Sequence, residues 1–182
     1  MRRVFLGFIA FLISTTFAIA CGVERWPVKV GTDQDAAKVV LTPEMATIAE
    51  LIELRAPNHP NARKNSRFKG ELKTYQLDGL LTVIKREKDE DYHLVIVDPD
   101  DKDATMIVES PAPGCAKNSR FLDQIKEVRQ AIDAKFGAIK GKKKPNIRTT
   151  VTGIAFFDPI HGQEGVAANG IELHPILKIT FH

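Results

Sequence analysis

The chain has 182 residues, 43% hydrophobic and 27% charged, with 12 Gly and 10 Pro, which excludes collagen-like, coiled-coil and disordered chains. Its formal charge is +3. Setting aside Arg2 and Arg3 leaves 24 of the 26 basic groups against 23 acidic ones, so the remainder carries no charge excess that demands nucleic acid or an anionic membrane.

Residues 1–20 read as a secretory signal peptide. Arg2 and Arg3 supply the positive start and residues 4–13 the apolar run. Ala18 and Ala20 supply the small residues of an A-x-A cleavage site. The expected location is secreted or periplasmic, with lipid anchoring through Cys21 as the alternative. Cys21 and Cys115 are the only two cysteines, and an even count after an export signal predicts a disulfide. Closing a loop of about 95 residues is worth up to about 4.7 kcal/mol in the chain-entropy picture.

Residues 22–41 read as extended or irregular. Thr42-Pro43-Glu44 reads as a helix start, with Met45, Ile48 and Ile52 at helical spacing. Residues 55–70 read as a loop, completing an N-terminal arm, short helix and loop over 21–70. A strand is expected over 74–85, with Gly79 marking a bulge or bend, then strands over 92–97 and 105–109. Ser119 is placed as the cap of a helix reaching Phe136, whose stripe is Phe121, Ile125, Val128, Ile132 and Phe136. Residues 141–145 read as a solvated loop, 148–157 as a fourth strand, 158–170 as a Gly-rich loop and 171–181 as a fifth strand.

The order β-β-β-α-β-β with a bent first strand predicts a mainly β, α+β domain over 71–182, a five-stranded OB-like barrel. A split α+β sandwich is the alternative.

The segment from His161 to Pro175 is the most unusual: an H-G-Q-x-G loop runs into an I-E-L-H-P strand. It resembles a segment of uncharacterised bacterial secreted proteins. The resemblance extends to residues 24–33, to 91–96 and to the region around Cys115. It implies a shared fold and carries no established activity.

Glu172 and His174 lie two apart on a strand and share a face. With His93 and His161 they form the site of one reading, a secreted metal-dependent hydrolase of phosphodiesterase or nuclease type. Their spacing matches no zinc signature. The preferred reading makes Glu172 and His174 structural, hydrogen-bonded to loop 158–170. Asp98, Asp100, Asp101 and Asp103 crowd one turn, as solvated hairpin tips do, and no Arg lies on the second or third strand to clamp a phosphate. No nucleophile elbow or phosphate-cradling Gly loop occurs.

For binding, Lys140, Lys142, Lys143 and Lys144 form a compact basic loop. Of the adjacent Phe156 and Phe157, one is expected to face outward as a stacking platform, with Phe157 the candidate. Trp26 reads as an anchor for the arm. The leading expectation is therefore an exported, non-catalytic binding module without a cofactor or metal. Single-stranded nucleic acid or another extracellular or periplasmic macromolecule is its candidate partner.

Overall fold

The computed structural model describes residues 21–182, so the signal-peptide reading of 1–20 lies outside the described residues. Three helices and six strands follow one another: α1 (Trp26–Val30), β1 (Val40–Met45), α2 (Ile48–Ile52), β2 (Lys73–Arg86), β3 (Tyr92–Val97), β4 (Thr105–Ser110), α3 (Leu122–Phe136), β5 (Ile147–Phe157) and β6 (Ile171–Phe181). The strands run in the spatial order β1-β2-β3-β4-β6-β5, and β2 also pairs with β5. That last pairing closes β2 to β6 into a five-stranded barrel, with β1 added in parallel at the edge of β2. β4 and β6 pair in parallel and the other barrel pairs are antiparallel. The fold is the expected OB-like one, not the sandwich.

Alternation builds the barrel. On β3, Tyr92, Leu94 and Ile96 enter the core while His93 and Val95 face the other way. Long β2 keeps an inward face through Tyr75, Leu77 and Leu81. It then shifts register between Leu81 and Val83, so that Ile84 also turns inward. The bulge expected at Gly79 thus sits just beyond it. At Gly79 a side chain is excluded instead, because a Cβ there would lie 2.1 Å from Ile96 Cγ2.

Helix α3 plugs the barrel with Val128 and Ile132, and Phe136 meets Phe181 edge-on at 5.1 Å. It begins at Leu122, a little later than expected. Ser119 Oγ accepts from the Phe121 N–H ahead of it.

The N-terminal third departs most from expectation. Residues 26–30 are helical, and Thr42-Pro43-Glu44 lies inside β1 rather than opening a helix. Backbone pairing with β2 overrides the local signal there, and Pro is tolerated because β1 is an edge. The helix starts instead at Thr47, whose side chain and Glu50 form a capping box.

A second apolar cluster, with Val30, Ala36, Phe121, Ile125 and Ile154, glues the arm to the barrel wall, and Trp26 packs against it. Two buried ion pairs complete the attachment. Arg25 grips both oxygens of Glu71, at 2.6 and 2.7 Å, and donates to the Arg63, Ser66 and Phe157 carbonyls. Arg67 grips Asp33 and donates to the Val28 carbonyl. The Cys21–Cys115 disulfide, spanning 94 residues, ties the start of the arm to the segment after β4, as the cysteine count predicts.

Candidate functional site

On β3, β4 and β6 the outward-facing residues fall side by side. His93 is in register with Glu109, and Ile107 with Glu172. His174 follows Glu172 on the same face. On a bare barrel wall these groups would be solvated. Here the arm from Cys21 to Val30 and loop 158–170 cover them, leaving a cleft of about 770 Å³ between arm, loop and wall.

The floor is a chain of alternating acids and bases. His93 Nδ1 lies 2.8 Å from Glu109 Oε1, and its Nε2 lies 3.0 Å from the Glu164 carbonyl. Glu109 Oε2 lies 3.2 Å from His174 Nδ1, and so does Glu172 Oε1. On its other side, His174 Nε2 faces Asp91 Oδ2 at 3.4 Å. Lys29 comes in from α1, 3.3 Å from Asp158 Oδ1 and 4.0 Å from Glu172 Oε1. Gln163 donates to Asp158 Oδ2, and His161 Nε2 stands 3.8 Å from that same oxygen.

Proton affinities follow from these contacts. Burial works against an imidazolium at His174, but the carboxylates of Asp91, Glu109 and Glu172 outweigh it and hold its pKa well above the ordinary histidine value. His93 is raised in the same way, burial being overcome chiefly by Glu109. Burial would lift Glu109, yet His174 and His93 together hold it well below the usual carboxylate range. At Glu172 burial prevails over the pull of Lys29 and, helped by Glu109, pushes the carboxyl up to about 7. Burial disfavours the Lys29 ammonium, but Glu172, Glu109 and Asp158 raise its pKa above the ordinary lysine value. Two neighbouring carboxylates sharing one histidine therefore have opposite habits.

Of the four residues read from sequence as a hydrolase site, His93, His161 and Glu172 line the cleft, and His174 lies buried behind Glu172. Among the described residues, two sets could offer ligand atoms to a metal: Glu24, Asp158 and His161 at the mouth, and Asp91, Glu109 and His174 inside. In the inner set His174 stands 3.2 Å from Glu109 and 3.4 Å from Asp91, longer than charge-assisted hydrogen bonds, and neither His174 Nε2 nor Asp91 Oδ2 has a hydrogen-bond partner among the described residues.

Glu172 and His174 do not hydrogen-bond to loop 158–170 directly, contrary to expectation. The loop is held by His93 at Glu164, by Asn169 Nδ2 donating to the Leu51 and Leu54 carbonyls, and by Gly165 lying against Val95. Glu172 reaches it only through Lys29 and Asp158.

Among the candidate binding residues, Lys142, Lys143 and Lys144 are exposed. Lys142 holds Glu164 at 2.6 Å, and the Lys143 main chain pairs with Ile84. Phe156 and Phe157 are both buried, at 0% and 3%, so neither turns a ring outward as expected. Phe156 lies instead beneath Arg25 and Lys29, whose cations stand 4.7 and 5.2 Å from its centroid. In the aspartate turn, Asp98 is buried and accepts from the Ala49 and Asp100 amides, while Asp100, Asp101 and Asp103 are exposed.

Lys29, Asp91, Glu109 and Asp158 were not legible as site residues. Only the inward–outward alternation of β3 and β4 offered a signal for Glu109. Nothing local marks Lys29, because it reaches the site through the docking of the arm. Neither a protein-family model nor a curated protein matches the chain.

Proposed function

We propose that the protein is exported and acts as a ligand-binding barrel whose seat is the cleft between arm, loop 158–170 and barrel wall. The observation that carries this reading is the placing of Lys29, Asp158 and Glu172, from three separate segments, around one buried ion pair at the floor of a roomy cleft. Burying charge is costly, and buried, perturbed groups gathered in a cleft mark a candidate working site. Export is supported by the leader-like residues 1–20 and by the disulfide. The bridge also occupies the Cys21 sulfur that a lipid thioether would need. No helix among the described residues is long and apolar enough to cross a membrane.

Thermal unfolding of the oxidised protein against a chemically diverse ligand library tests the reading. A true ligand at about 100 times its Kd adds about 2.7 kcal/mol of stability. That gain should vanish in Lys29→Met. A library without one stabilising compound overturns the proposal. Single-stranded nucleic acid as the partner rests on Lys142, Lys143 and Lys144 alone, without a stacking ring. Its mark would be an affinity that falls steeply with salt and flattens when the three are neutralised.

The second reading, a secreted metal-dependent hydrolase, draws on the same floor. Glu172 keeps its proton to about pH 7 while Glu109 stays ionised, the split that general acid–base work requires. Turnover of a phosphodiester or other hydrolase substrate, dependent on added metal and lost in Glu172→Gln, would put this reading first.

A further inference from the structure

Resting on the cleft as the ligand seat, we propose that it takes a neutral, hydroxyl-rich ligand, a saccharide. The cations around it are already matched. Lys29 has Asp158 and Glu172, Lys85 has Glu87 at 2.7 Å, and His93 has Glu109. On the loop wall Lys142 has Glu164. A phosphate or carboxylate ligand would have to displace a carboxylate from each. Of the lysines lining the cleft, Lys88, exposed at the rim, has no carboxylate partner among the described residues, and one exposed ammonium is no phosphate clamp. An organic cation is the rival class, because Glu24 and Asp89 also line the cleft without a lysine or arginine partner among the described residues, but it would have to approach the Lys29 ammonium on the floor.

What the floor does offer is fixed acceptors beside fixed donors. Asp158 Oδ1 is buried and, although it pairs in charge with the Lys29 ammonium 3.3 Å away, it accepts no well-aligned hydrogen bond among the described residues. A buried acceptor in that condition calls for a donor. A hydroxyl both donates and accepts, so a polyol can donate a hydrogen bond to Asp158 while accepting one from Lys29. Trp26 lines the same cleft and supplies the apolar surface against which the C–H face of a sugar ring can lie. The volume of about 770 Å³ is in the range of small-molecule sites.

The test is an array of neutral glycans probed with the oxidised protein, with spermine and a single-stranded oligonucleotide measured alongside. At least one glycan should be retained, with a Kd that moves less than about twofold between low and high salt, since an uncharged ligand releases no counterions. Trp26→Ala should weaken binding roughly tenfold, a loss of about 1.4 kcal/mol. His161→Ala, at an exposed position that leaves the fold intact, should weaken it severalfold, and Lys126→Ala on the exposed face of α3 should leave it unchanged. Retention of no glycan, or binding indifferent to both Trp26→Ala and His161→Ala, overturns the proposal. Binding of spermine or the oligonucleotide that these variants abolish overturns the ligand class and leaves the cleft as the seat. Failure of every ligand class overturns both.

Discussion

Glu172→Gln tests the electrostatics of the cleft floor directly, because it keeps the shape of the side chain and removes its titration. Glu172 is 3% exposed, and burial, with Glu109 and Asp158 adding, places its pKa at about 7 against an ordinary 4.5, despite the opposing pull of Lys29. Between those values the folded protein holds a proton that the unfolded chain has released. Stability therefore falls as pH rises through this window. A gap from 4.5 to about 7, at 1.36 kcal/mol per pH unit, is worth about 3 kcal/mol. Urea unfolding of parent and variant, disulfide intact, at several values between pH 4.5 and 8 gives the difference curve. The depressed Glu109 contributes stability that is lost as pH falls, while the raised His93 and His174 lose theirs as pH rises through their folded values. In the variant His93 keeps Glu109, and His174 keeps Asp91 and Glu109, so most of these contributions cancel in the difference. Relative to the parent, the variant should gain about 3 kcal/mol from the acid end to the alkaline end. Parallel curves would refute the reasoning, since Glu172 would then ionise as it does in the unfolded chain.

Three further outcomes follow from the same geometry. Replacing Cys21 and Cys115 by Ser should cost about 4 to 5 kcal/mol in denaturant unfolding, the loop-closure value for a span of 94 residues. Gly165→Ala should loosen loop 158–170 and speed its cleavage in limited proteolysis, because the residue has φ +80° and a Cβ there would lie 2.3 Å from Val95 Cγ1. His174→Ala should cost about 3–5 kcal/mol by leaving Asp91, Glu109 and Glu172 without their shared cation. Added zinc or calcium should not shift melting in either protein. A metal-dependent gain present in the parent and absent in His174→Ala would move the hydrolase reading to first place.

The barrel was legible because its signals are local and repeated. Strand runs separated by turns, one amphipathic helix between the third and fourth barrel strands, and a bulge near Gly79 together leave few topologies open. The arm was not legible because its structure is decided at long range. Residues 26–30 turn helical under Arg25, whose guanidinium is bound by Glu71, 46 residues away. The Pro43 region became a strand because β2 offered an edge to pair with. The true helix start at Thr47 carries its own local signal, the T-x-x-E capping box with Glu50, which competes with the Thr-Pro-Glu just before it. At the site, the shared face of Glu172 and His174 could be read from strand periodicity. Their partners could not, because Glu109 and Asp91 meet them only through the barrel's β3–β4–β6 pairing.

Lys29 shows why the arm and the cleft are one problem. Between Cys21 and Val30 the chain carries the disulfide, the Arg25 clamp and the Lys29 ammonium. With the arm undocked, Asp158, Glu172 and Glu109 would face one another across the barrel wall with one fewer cation among them, and solvent would reach His174. Docking brings a positive charge to the place where the wall is most negative and, in the same step, roofs the cleft. The attachments differ in kind: a covalent bond at residue 21, a bidentate ion pair at 25 and an apolar cluster at 30. The cleft thus keeps its floor charges compensated only while the arm is seated, because Lys29 reaches Asp158 and Glu172 from the arm itself.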